Sequence, residues 1–223
     1  MFVKICGITR EEDALLAVAM GADAVGFTFA PSRRQIAPGI ARDIVKRLPP
    51  EVLTVGVFRD EMPARVVEIV NSAGLRGAQL HGHENAEATA WIRQRVPFVI
   101  KAFPAGHPDL ANAADWGADA VLIDSPRPGS GEVFDWSLAQ ERPDGLRVIL
   151  AGGLTAANVA AGIEAVRPWG VDVASGVEAD GGEAGYKDAH QVKGFVDAAR
   201  RAAAAGYEPL DVAPYDWMED DFL

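Results

Sequence analysis

Two titratable side chains stand where short apolar runs end. The only cysteine of the 223-residue chain, Cys6, closes the run FVKIC ahead of Gly7, and Asp124 closes the run AVLID. A thiolate can remove a proton and a carboxylic acid can supply one, so this pair could protonate a substrate on one side and deprotonate it on the other. Each residue also has a plain structural reading, Cys6 as a small buried apolar side chain and Asp124 as a loop cap. Two titratable groups at opposed strand ends are harder to dismiss than either alone. A thiol of ordinary pKa, near about 8.5, is mostly protonated at neutral pH, so a base at Cys6 calls for a neighbour or helix terminus that lowers its pKa.

The anion-binding signals lie in two later segments. LAGGLTAANV places Gly152 and Gly153 at the end of one apolar run, with Thr155 as the expected N-cap of the following helix, and VDVASGVE ends the next run in Ser175 and Gly176. Adjacent glycine turns expose backbone N–H groups and suit a phosphate, although they also read as two tight turns with nothing bound. Arg34, beside Ser32 and Arg33, could clamp a carboxylate with its two-pronged guanidinium or be a solvated loop arginine. Lys4 lies two residues before Cys6 on the same strand face and is expected to pair with a carboxylate such as Asp172. Gln79 and His81, in QLHG, line a pocket or satisfy each other. Of the four histidines only His81 falls at a strand end, with His83 in the turn after it, and no second His or Cys completes a ligand set. No metal is therefore expected.

Eight apolar runs must position these residues: FVKIC, AVGFTF, LTVGVF, AQLHG, FVIKAF, AVLID, RVILAG and VDVASG. They recur about every 20 to 30 residues, with amphipathic stretches such as EEDALLAVAM, PGIARDIVKRL, PARVVEIVNSAG and TAANVAAGIEAVR between them. Alternation of this kind implies parallel β/α units, and near-continuous apolar strands imply burial on both faces. A near-repeat, GADAV at 21–25, GADAV at 117–121 and GVDVA at 170–174, marks helix-to-strand junctions, with glycine supplying the positive φ that ends a helix. The fold class read from this pattern is α/β, a single-domain (β/α)8 TIM barrel over residues 1–205; an open doubly wound sheet fits the same periodicity less well. Residues 206–223 form a short acidic C-terminal extension that carries Tyr207, Tyr215, Trp217 and Phe222, read as a frayed tail or as a segment packed on the barrel or a second subunit.

The net charge of −11 opposes nucleic acid and anionic membranes, and no apolar run nears the roughly 20 residues that cross a bilayer. The start lacks a signal peptide's regions and one cysteine excludes an internal disulfide, so a cytoplasmic protein acting on a small molecule is expected. Its oligomeric state is left open between monomer and homodimer. An anionic ligand would need local donors strong enough to overcome the global field.

The chain resembles the phosphoribosylanthranilate isomerase family of tryptophan biosynthesis, through KICGIT, GADAVGFTF, the Ser-Arg-Arg segment, VGVF, QLHG, LID, GSGEVFDW, LAGGL with NV, VDVASGVE and Lys187-Asp188, in order over about the first 200 residues. The resemblance implies a (β/α)8 barrel without cofactor that converts N-(5′-phosphoribosyl)anthranilate to 1-(2-carboxyphenylamino)-1-deoxyribulose 5-phosphate by an Amadori rearrangement. It implies Asp124 as general acid, Cys6 as general base, Arg34 at the anthranilate carboxylate, and the loops at Gly153 and at Ser175 and Gly176 at the phosphate, with Asp172 also among the substrate-binding residues. The chain departs from the family in SPRPGSGEVFDW after Asp124, in the insertion ADGGEAGY after Glu178 and in the tail. Other readings are a metal-dependent epimerase, for which histidine and aspartate ligands are missing; an indole-forming lyase, for which Lys101 in FVIKAF is the one hint; and a barrel that binds a phosphorylated ligand without turning it over.

Overall fold

The computed structural model describes residues 1–126, 133–139 and 145–204. The acidic tail, its boundary after residue 205 and residues 127–132 of the loop after Asp124 lie outside them. Eight strands, β1 (Phe2–Ile5), β2 (Ala24–Thr28), β3 (Leu53–Phe58), β4 (Gly77–Leu80), β5 (Phe98–Pro104), β6 (Ala120–Asp124), β7 (Val148–Leu150) and β8 (Gly170–Val173), pair in sequence order into a closed barrel. Every pairing is parallel, and β8 returns to β1 in a register running from Phe2 opposite Gly170 to Ile5 opposite Val173.

Strand alternation divides the apolar residues between two cores. Phe2, Leu53, Val55, Ile100, Leu122 and Ile149 fill the barrel interior, while Val3, Val25, Phe27, Val99 and Val121 pack outward against the helices. Phe2 stacks on Trp169, centroids 4.5 Å apart, at the end of the barrel remote from Cys6. Each such side chain, fully buried, contributes about 1.5–3 kcal/mol, so the framework is held independently of the polar groups at the other end.

The outer layer comprises α1 (Glu11–Ala19), α2 (Pro38–Val45), α3 (Pro63–Ala73), α4 (Ala86–Arg93), α5 (Val159–Val166) and α6 (Ala189–Ala204). Proline opens α2 and α3, where its missing N–H has no intrahelical partner to lose, and Gly74 at φ 69° closes α3. After β5 and β6 the described connections are 3-10 segments, Pro108–Trp116 and Trp136–Ala139. The first buries only Leu110 and Ala113 and breaks helical geometry at Asn112, since so thin an apolar stripe cannot hold a longer helix on the sheet.

The near-repeat holds as a junction in two of its three copies. Gly21 and Gly117 take positive φ after a helical segment, and the aspartate two residues later accepts the backbone N–H of a neighbouring strand, Val3 to Asp23 and Val99 to Asp119, each at 2.7 Å. In the third copy Arg167 ends α5 at φ 49° and Gly170 is already the first strand residue. Its aspartate, Asp172, is thereby moved into the strand and faces the barrel interior.

Candidate active site

A cavity of about 310 Å³ opens at the carboxyl ends of the strands, and Cys6, Arg34, Asp124, Gly153, Asp172, Ser175 and Gly176 all line it. Residues separated by up to 170 positions thus share one wall-to-wall space, because parallel strands deliver every carboxyl end to the same face.

Cys6 is the first residue past β1, and its N–H donates to the Val173 carbonyl at 2.8 Å, which ties the base of the turn to β8. Gly7 follows at φ 73°, and a side chain there would collide with Cδ of Arg34. Below the thiol, Lys4 is fully buried and donates to Oδ1 of Asp172 at 2.8 Å. The Cys6 pKa departs from the expectation drawn from sequence: burial pushes it up, and Asp172 adds to that, against the opposing pull of Lys4 and Lys187. A thiolate withdrawn from water loses more solvation than the two ammonium groups restore.

Asp124 ends β6. Its Oδ1 accepts the N–H of Ser125 at 2.7 Å, and its Oδ2 lies 3.2 Å from Nε2 of His81, out of line for a hydrogen bond. The side-chain amide of Gln79 lies 2.8 Å from Nδ1 of His81, which leaves the other ring nitrogen turned toward Asp124. Gln79 and His81 therefore line the cavity and bond to each other once, while Oε1 of Gln79 and Nε2 of His81 are left without a hydrogen-bond partner among the described residues.

Arg34 is not free in solvent. Its Nε and Nη2 donate to Oε1 and Oε2 of Glu178 at 2.6 and 2.9 Å, across 144 positions of sequence. The same carboxylate accepts from Lys187 at 3.4 Å and from the N–H of Gly185 at 2.9 Å, while Lys187 also donates to the Ala174 carbonyl at 3.0 Å. Glu178 and Lys187 were legible only as parts of motifs; no sequence signal pairs them with Arg34, because the pairing crosses from the loop after β2 to the loop after β8. The insertion ADGGEAGY forms a turn closed by the antiparallel bridge of Glu178 with Lys187, and Arg10 stacks 3.6 Å over its Tyr186.

The two glycine turns make one wall. Gly152 and Gly153 take φ 85° and 63°, and a side chain on Gly176 would collide with the Leu154 carbonyl, so the turns touch backbone to backbone. The N–H groups of Gly153, Ser175 and Gly176 donate to no acceptor among the described residues. Thr155 is not the N-cap of α5. That helix starts at Val159 after Asn158, whose side chain accepts the N–H of Thr155 at 2.8 Å and donates to the Gly153 carbonyl at 2.9 Å. Asn158 thus fastens the glycine turn to the helix start.

Lys101 sits outside this site. It lies on the outer face of β5 and donates to Glu84 at 2.9 Å and to the Gly82 carbonyl at 2.7 Å, a buried pair that pins the loop after β4. Among the described residues no three His, Cys, Asp or Glu side chains converge to hold a metal ion, and no helix is long and apolar enough to cross a membrane.

Comparison with known proteins matches residues 3–198 to the family model of N-(5′-phosphoribosyl)anthranilate isomerase. The enzyme of that name from Desulforudis audaxviator is 48% identical over 207 residues, covering 90% of this chain and 98% of its own. Among solved structures, a phosphoribosyl anthranilate isomerase from Thermus thermophilus shares 44% identity and superposes with a TM-score of 0.82, over 90% of this chain and 99% of its own. Another, solved in complex with reduced 1-(o-carboxyphenylamino)-1-deoxyribulose 5-phosphate, shares 40% identity with a TM-score of 0.78 over the same shares.

Proposed function

The chain belongs to the N-(5′-phosphoribosyl)anthranilate isomerase family, and from that premise we propose how its own residues carry out the reaction. It is an isomerase of tryptophan biosynthesis that converts N-(5′-phosphoribosyl)anthranilate to 1-(2-carboxyphenylamino)-1-deoxyribulose 5-phosphate. The observation that carries the assignment of roles is the placement of Cys6 and Asp124 on one cavity beside an arginine and two glycine turns.

Asp124 gives a proton to the furanose ring oxygen, the bond from C1′ to that oxygen breaks, and the nitrogen lone pair forms the C1′ iminium. Cys6, as thiolate, takes the C2′ proton, and the released electron pair makes the enolamine. Protonation at C1′ and loss of the C2′ hydroxyl proton give the ketone and return acid and base to their starting states. Asp124 and Cys6 each give one proton and take one over the whole sequence, Cys6 returning its proton to C1′ and Asp124 regaining one from the C2′ hydroxyl, so no redox partner enters. Arg34 binds the anthranilate carboxylate with the three N–H bonds that Glu178 leaves unused, and the free N–H groups of Gly153, Ser175 and Gly176 bind the phosphate. Asp172 borders the sugar and fixes Lys4 beneath it. We place the enzyme in the cytoplasm, on its lone unpaired cysteine.

Purified protein should consume phosphoribosylanthranilate, followed by its fluorescence, in the presence of a metal chelator. Cys6→Ser and Asp124→Asn should each lower kcat by about 10²–10⁴-fold, the range for a positioned base or acid, with product affinity little changed. Activity abolished by chelation, or near-normal kcat in both variants, overturns the reading.

A further inference from the structure

We propose that Lys4 is the positioning residue that makes the buried Cys6 thiolate easier to form, sharing its ammonium between Asp172 and the cysteine sulfur. The proposal rests on the reading of Cys6 as base and adds how a buried thiol can serve as one.

Three observations carry it. Lys4 has no exposed surface and does not border the cavity, so its charge can act only through the groups it touches. Those groups are Asp172, to which it donates at 2.8 Å, and the Cys6 thiol, which it meets over Gly26. On the adjoining strand Gly26 has no side chain, and the space a Cβ would take is filled by this pair: Sγ of Cys6 lies 2.7 Å and Nζ of Lys4 3.2 Å from that position. The backbone of β2 is therefore pared back so that sulfur and ammonium meet on one glycine.

Charge gives the direction. The groups facing Cys6 are Lys4 from β1, Asp172 from β8, Arg34 from the loop after β2, and Lys187 with its partner Glu178 from the loop after β8. Gly26 adds nothing titratable from β2, and Asp124 and His81 stand on the cavity's other strands. Three cations against two carboxylates leave this cluster one positive charge in excess while Cys6 is a thiol, and balance is reached when Cys6 becomes a thiolate. Each of the three cations has a carboxylate partner, Arg34 and Lys187 on Glu178 and Lys4 on Asp172, but it is the Lys4 ammonium that shares the space over Gly26 with the sulfur.

The lone cysteine makes the test clean, because alkylation by iodoacetamide reports on Cys6 alone. In Lys4→Met, a chain of similar length without charge, the midpoint of the alkylation rate against pH should rise by about one unit or more, and the rate at pH 7 should fall by about tenfold or more, as expected when an opposite charge at contact is removed. An unchanged or lowered midpoint overturns the proposal. Should Lys4→Met fail to fold, Asp172→Asn carries the test: with the competing anion gone the midpoint must fall, and an unchanged or raised midpoint overturns it. The acidic limb of kcat against pH, measured on the same variants, tests the base separately. If alkylation shifts as expected while that limb stays in place, Lys4 controls the thiol and it is the catalytic reading of Cys6 that fails.

Discussion

Arg34 and Glu178 at 2.6 and 2.9 Å make a two-pronged pair that ties the loop after β2 to the loop after β8 beside the cavity. Arg34 carries a long flexible stem, and Glu178 removes its rotational freedom before the substrate arrives. Replacing Arg34 by Ala should weaken substrate binding by about 1.5–3 kcal/mol, the range for a hydrogen bond to a charged group, read as a raised KM. Glu178→Gln keeps one acceptor and should raise KM less; the opposite order, or an Arg34→Ala variant with normal KM, would move the carboxylate site elsewhere. The pair also titrates. Burial raises the Glu178 pKa, but Arg34, Lys187 and the Gly185 N–H outweigh burial and hold it below the ordinary glutamate value. A carboxylate depressed in the folded state adds stability above its unfolded pKa, about 4.3, and loses it as pH falls through the folded value. Denaturant unfolding should therefore show a constant gap between wild type and Glu178→Gln above about pH 5 that closes under acid conditions; a gap that widens on acidification contradicts the pairing.

Loops after β7 and β8 behave as one element, since Gly176 leaves no space above the Leu154 carbonyl. Gly176→Ala must push backbone against backbone, which side-chain motion cannot relieve, so it should part the two turns and weaken competition by inorganic phosphate by about tenfold while the barrel stays folded. Gly39, inside α2 with open space at its Cβ position, provides the contrast. Gly39→Ala should raise stability by about 0.5–1 kcal/mol and leave phosphate inhibition alone. Equal phosphate inhibition in wild type and Gly176→Ala would take the phosphate away from these turns.

For the molecule as a whole, a net charge of −11 repels a substrate that carries phosphate and carboxylate, so affinity must arise at short range. Added salt screens the unfavourable global field as well as the local clamp, and the two effects oppose each other. KM should change by no more than about threefold between low salt and about 0.3 M, where the Debye length is well under 10 Å. A steep rise of KM with salt would mean that long-range attraction brings the substrate in, against the charge balance of the chain.

Read from the sequence alone, eight apolar runs, their spacing and the glycine turns suffice for the parallel barrel, and a residue at each strand end suffices to nominate Cys6, Asp124, Arg34 and the phosphate loops. These features are local: alternation, glycine at a turn and position along a strand are settled within a few residues. What tertiary structure alone decided was the company those residues keep. Arg34 meets Glu178, His81 turns toward Asp124, Lys101 faces outward to Glu84, and the described parts of the connections after β5 and β6 wind as 3-10 segments, whereas the pairing of Lys4 with Asp172 was already legible in the strand alternation. Thr155 does not cap α5, whose preceding residue Asn158 ties back to the glycine turn instead, and Cys6 proved buried enough for desolvation to raise its pKa. The pairing of Arg34 with Glu178 and the raised pKa of Cys6 depend on which groups from distant elements share a dry space, and in such a space the loss of water decides charge, protonation and pairing.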